Sequence, residues 1–151
     1  MKEFSLDVAS PHSPAAARSA LLSPRTWERL GASSAAPAAD GLTAVLPLRA
    51  DQLPDALSRF VRGEAGLQVQ VSGEAAGAEP LRLVLTVPGA PAEVRVRLDV
   101  RAGGEESGSV LSAQAQLESS VPFLGGMVES ALEPVVRTQL AEQLHEVAHL
   151  A

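Results

Sequence analysis

Cysteine is absent from the chain, and so is tyrosine. Without cysteine there is no disulfide, no thiolate-bound zinc, no iron–sulfur cluster and no thiol nucleophile, which fits a reducing, cytoplasmic setting. Aromatic residues make up only 3% of the sequence, so stacking platforms for bases or sugars are scarce and a core must come from Leu, Val and Ala. Basic residues are outnumbered, 12 against 18 acidic, for a net charge of -6. That balance opposes nucleic acid and anionic lipid head groups, both of which call for basic patches. No run of about 18 uncharged apolar residues occurs, so no membrane span is expected. The opening MKEFSLDVAS carries Lys2, Glu3 and Asp7 and lacks the apolar stretch of a signal peptide. The phosphate-loop lysine signature and GxSxG are missing as well, and Ser107 lies in a Gly-rich turn with no base near it in sequence.

What remains is a chain of 151 residues, 46% hydrophobic, which predicts one folded domain over 1–151. EFSLDVA alternates, Phe4, Leu6 and Val8 on one side and Glu3, Ser5 and Asp7 on the other, the pattern of a half-buried strand. Ser13-Pro14 and Ser23-Pro24 each put a capping residue before a proline suited to a first helical turn. The first helix would bury Ala17, Ala20 and Leu21; the second would bury Trp27 and Leu30 and stop at Gly31. GASSAAPAADG (31–41) reads as a loop, LTAVLPL (42–48) as a strand with Pro47 at an edge or end, and PDALSRFV as a short helix presenting Leu57, Phe60 and Val61.

LQVQV, LRLVLTV, EVRVRLDV and SVLSAQAQL then alternate in turn, with PGAP and GGEESG among the connections, and predict an antiparallel meander. One face is Leu and Val. The other carries Arg82, Glu93, Arg95, Arg97, Asp99 and Arg101, which reads as a solvated outer face with cross-strand pairs rather than as a binding patch. The last thirty or so residues are helical in pattern. A one-sided curved sheet must cover its apolar face, and this long helix is the large element left to do so.

The order of elements resembles the helix-grip fold of the START/Bet v 1-like superfamily, which includes polyketide cyclases and lipid-transport proteins. EFSLDVASPHSPAAARSALLSPRTWERLG is similar to its first strand and two small helices, and VPFLGGMVESALEP to the start of the last helix in uncharacterised bacterial members. Many plant members carry a glycine-rich loop where this chain has DQLPDALSRFVRGEAG. The resemblance implies an α+β architecture, a curved antiparallel sheet gripping a long C-terminal helix, with a cavity between them for an apolar small molecule.

On that basis the expected function is non-catalytic carriage of a lipid-like or isoprenoid-like molecule, with no cofactor and no metal. The expected wall is Met127, Val128, Ala131 and Val135 from the helix, surrounded by Trp27, Phe60, Leu83, Leu85, Val96 and Leu98. The inward positions Leu81, Leu83, Leu85, Val94, Val96, Leu98, Leu111 and Leu117 are all aliphatic. A cyclase or hydrolase would need polar groups converging there. The third reading is a structural or dimerising domain, a homodimer included, with a filled core.

One spelling argues for metal. HEVAH, His145 to His149, is the HExxH pattern of zinc-protease helices. Zinc there needs a third protein ligand, and after His149 only Leu150 and Ala151 follow, while His12 lies far upstream in a predicted loop. At about 100° per residue, Val136, Leu140, Leu144 and Val147 define a core seam, from which His145 lies about 140° away and His149 about 180°. The pair therefore reads as outer surface. Leu124, Val128, Ala131 and Val135 define an earlier seam rotated by about 150°, so Pro134 is expected to kink or restart the helix. A straight helix would instead line the histidines up with this earlier apolar face, the one geometry that would revive the metal reading.

Overall fold

The computed structural model describes residues 2–48, 65–74, 79–86, 92–103, 108–119 and 125–150. Strand β1 (Lys2–Ser10) is followed by helices α1 (Pro14–Leu21) and α2 (Pro24–Arg29), then by β2 (Ser34–Ala38), β3 (Gly41–Leu48), β4 (Ala65–Ser72), β5 (Leu81–Thr86), β6 (Ala92–Ala102), β7 (Ser109–Ser119) and the long helix α3 (Gly125–Leu150). The strands form one seven-stranded antiparallel sheet in the order β1-β7-β6-β5-β4-β3-β2, so both outer strands precede the meander in sequence. Helix α3 lies along β1 and β7, and the short helices cover β6 and the β2–β3 end. This is the helix-grip arrangement that the resemblance implies.

The local chemistry explains the elements. The Ser13 hydroxyl accepts from the Ala16 N–H at 3.2 Å with Pro14 behind it, a side-chain cap for α1. Ser23 caps α2 with its carbonyl instead, receiving the Thr26 N–H at 3.1 Å. Gly31 follows α2 at φ 99, a left-handed turn that a side chain would resist. As expected, Ala17, Leu21 and Trp27 are closed off from solvent. The helix expected over PDALSRFV lies outside the described residues.

The stretch 31–41 differs from expectation. Ser34–Ala38 is a strand, paired with β3 from Ser34 opposite Val45 to Ala38 opposite Gly41. SAAPA has weak strand propensity of its own. It pairs because β3 offers an otherwise open edge, and Pro37 is tolerated because β2 has no further neighbour to receive an N–H. A Cβ at Gly41 would collide with the Val71 carbonyl, which is why the hairpin needs glycine there. Pro47 lies beyond the stretch of β3 that β2 covers, at the strand end as predicted.

Helix α3 runs unbroken through Pro134, without the expected restart; the side chains of Leu124, Val128 and Ala131, which would define the earlier seam, lie outside the described residues. Its closed positions are Glu129, Leu132, Leu140, Leu144, Val147 and Ala148, with Val136 half-buried among them, a single stripe that crosses the proline. Pro134 itself is exposed, as is Ser130, whose carbonyl loses its donor. Water can satisfy that carbonyl, so the helix continues.

Candidate functional site: the aliphatic inner face

Strand register assembles the inner face in rows. Phe4, Ala115, Val96, Leu83, Val71 and Leu42 stand side by side across six strands. The next row toward the β7 C-terminus holds Leu117, Val94, Leu85, Val69 and Ala44. On the other side lie Ala113, Leu98 and Leu81. Every one of these side chains is apolar, as the alternation predicted.

Their exposure is graded. Leu81 and Leu98 are at 0%, Leu83 at 1% and Val96 at 3%. Toward the end of the sheet near the start of α3, Leu85, Leu67 and Ala92 are only half-buried, and Val135 and Val136 on the helix likewise. Of the expected wall, Leu83, Val96, Leu98 and Trp27 are therefore packed core and Leu85 is half-buried against it, while Val135 is half-buried off the helix stripe that packs on the core. Trp27 also spends its indole N–H on the Leu21 carbonyl at 3.0 Å, inside α1–α2 packing. Met127 is brought to the surface, 72% exposed, rather than into the interior. Val128 and Ala131 lie on α3, but their side chains, like all of Phe60, are outside the described residues.

Burial of several polar groups was not legible in the alternation. Arg18, on α1, is 4% exposed. Its guanidinium donates to the Glu79 carbonyl at 2.7 Å and to the Glu74 carbonyl at 2.5 Å, tying α1 to the β4–β5 connection, while its Nε has no partner among the described residues. Glu129, 5% exposed, accepts the Ser119 N–H at 3.0 Å and closes the end of β7 against α3. Hydrogen bonding to the carboxylate, the Ser119 N–H included, with the Lys2 cation helping, holds it below the usual carboxylate range against the opposing push of burial. Ser10 donates to the Ala148 carbonyl at 2.7 Å, anchoring the far end of α3. No sequence signal marked these residues, because each is buried by a tertiary contact remote in the chain.

The histidines lie where the helical wheel put them. His145 and His149 are exposed, with ring centroids 4.2 Å apart, and His149 Nδ1 donates to the His145 carbonyl at 2.8 Å. They border an open groove of 600 Å³ against β1, beside Asp7 and Glu142. Among the described residues no three metal-ligating side chains come together.

The comparisons agree with this geometry. Residues 5–149 match a family described as a protein of unknown function, DUF2505. No curated protein matches the sequence. Among solved structures, a protein of Thermus thermophilus superposes with TM-score 0.63 at 11% identity, covering 97% of this chain and 94% of its own. Ara h 8.0201 gives 0.63 at 12%, covering 97% and 95%. A START superfamily protein from Mycobacterium smegmatis gives 0.54 at 15%, covering 95% and 93%. At such identities the likeness is one of fold. With a gripping sheet, two short helices after β1 and a long final helix, the chain belongs to the DUF2505 family and has the START/Bet v 1-like helix-grip fold.

Proposed function

We propose that this chain acts as one domain that binds an apolar small molecule, lipid-like or isoprenoid-like, without catalysis. The ligand would sit between the sheet and the first half of α3. The carrying observation is the graded opening of a mostly apolar inner face: closed at Leu81, Leu83 and Leu98, half-buried at Leu85, Leu67, Ala92 and Val136. Such a surface offers burial to an apolar guest, about 25 cal/mol per Å² removed from water, and offers no polar group to steer a reaction. The buried charged groups, Arg18 and Glu129, are engaged at the rims. The START/Bet v 1-like fold supports a binding domain in general terms.

A filled core is the rival reading, favoured by the closure of Leu83, Val96, Leu98 and Trp27 to 3% or less. Native mass spectrometry of protein purified from cells, with uptake of the neutral dye Nile red, decides between them. Binding predicts an apolar adduct or dye uptake that Val136→Phe blocks while the melting curve stays in place. If the wild-type chain takes up neither, or Val136→Phe leaves uptake untouched, the filled core is correct.

A further inference from the structure

Among the described residues, the ion pairs on the outer face of the sheet run along single strands and not across them. The register sets Arg82 of β5 directly opposite Arg97 of β6, and the same row continues through Gln114 of β7 to Ser5 of β1. Directly opposed side chains stand about 4.5–5.5 Å apart at Cβ, where like charges destabilise a sheet. Little nearby offsets this. Arg82 has no hydrogen bond or ion pair among the described residues. Arg97 forms an ion pair along its own strand, its Nε 3.7 Å from Asp99 Oδ2, without a hydrogen bond. One row over, Arg95 is satisfied by Glu93 at 3.1 Å. Of the other carboxylates on this face, Glu3 accepts from Gln116 at 3.5 Å, Asp7 accepts from Ser112 at 2.6 Å, and Glu118 stands opposite Glu93. Around the opposed arginines the face forms a trough of 780 Å³, whose polar lining also includes Arg95, Ser5, Gln114, Gln116 and, on β1, Glu3.

We propose that this trough binds a compact oxyanion with at least two negative charges, the phosphate or pyrophosphate group of a small molecule, bridged between the Arg82 and Arg97 guanidinia. A guanidinium presents its donors in a planar fork matched to such oxygens, and an anion between two of them turns their repulsion into attraction. Gln114 and Ser5 add neutral donors in the same row. The ligand is small because the chain as a whole carries -6, which repels an extended polyanion such as nucleic acid or an anionic membrane at long range.

Titration calorimetry with inorganic pyrophosphate at low ionic strength tests this. Binding should weaken with added salt, fall at least about tenfold in Arg82→Gln and in Arg97→Gln, and persist in Arg101→Gln, an exposed arginine on the same strand face outside the trough. Without the anion, both trough variants should melt no lower than the wild type, since each removes a like-charge contact. Nile red uptake should be unaffected, which separates this site from the interior one. The proposal falls if pyrophosphate does not bind at about 10 mM, or if Arg101→Gln loses as much as Arg82→Gln. It falls too if anionic phosphatidylglycerol vesicles, and not pyrophosphate, bind in an Arg82-dependent way.

Discussion

Leu144→Ala is the sharpest test of how α3 is held. Leu144 is 1% exposed, flanked on its stripe by Leu140 at 4% and by Val147 and Ala148 at 0%. Removing its isopropyl end forfeits about 2 kcal/mol of transfer energy. It also leaves a hole, which costs about 24 cal/mol for each Å³ that the surroundings fail to fill. The surroundings are stiff: α3 lies on β1 and β7, and β7 is hydrogen-bonded along both edges. The cost should therefore fall in the upper part of the usual range, about 3–5 kcal/mol. Trp27, the single tryptophan and 2% exposed, gives a fluorescence signal for urea unfolding. The midpoint should drop at unchanged slope, and the melting temperature should fall by about 6–20 °C. Met127→Ala on the same helix is the control; at 72% exposure it should change stability by less than about 0.5 kcal/mol. A loss under about 1 kcal/mol for Leu144→Ala, or an equal loss for Met127→Ala, would refute a single packed stripe.

Two further outcomes follow from the same contacts. Glu129 has its pKa lowered below 4.5 in the folded chain, so its contribution to stability is present above that value and is lost as pH falls through the folded pKa. Acid titration of the unfolding midpoint should show that loss, and Glu129→Gln should flatten it; an unchanged acid limb in the variant would contradict the assignment. The double variant His145→Ala, His149→Ala should shift stability by less than about 0.5 kcal/mol, and elemental analysis of the wild type should find no zinc at one per chain. Stoichiometric zinc that the double variant loses would overturn the surface reading of HEVAH.

The sequence by itself determined whatever depends on short-range periodicity and local caps. Period-two alternation placed β1 and β4 to β7 and named their inner residues, because the pleat sends successive side chains to opposite faces wherever the strand ends up. Ser13-Pro14, Ser23-Pro24 and Gly31 bounded the short helices through their own backbone chemistry. The wheel set His145 and His149 away from the stripe of Leu140, Leu144 and Val147, since those angles need nothing outside the helix. Tertiary structure decided the rest. SAAPA became a strand only because β3 offered an edge. Pro134 left α3 whole because its unpaired carbonyl faces water, and Met127 went to the surface although its neighbours in sequence are apolar. Arg18 and Glu129 were buried by partners far along the chain, at Glu74, Glu79 and Ser119. The opposition of Arg82 and Arg97 depends on the register between β5 and β6, which is fixed by how two inner faces meet the core and not by either strand alone.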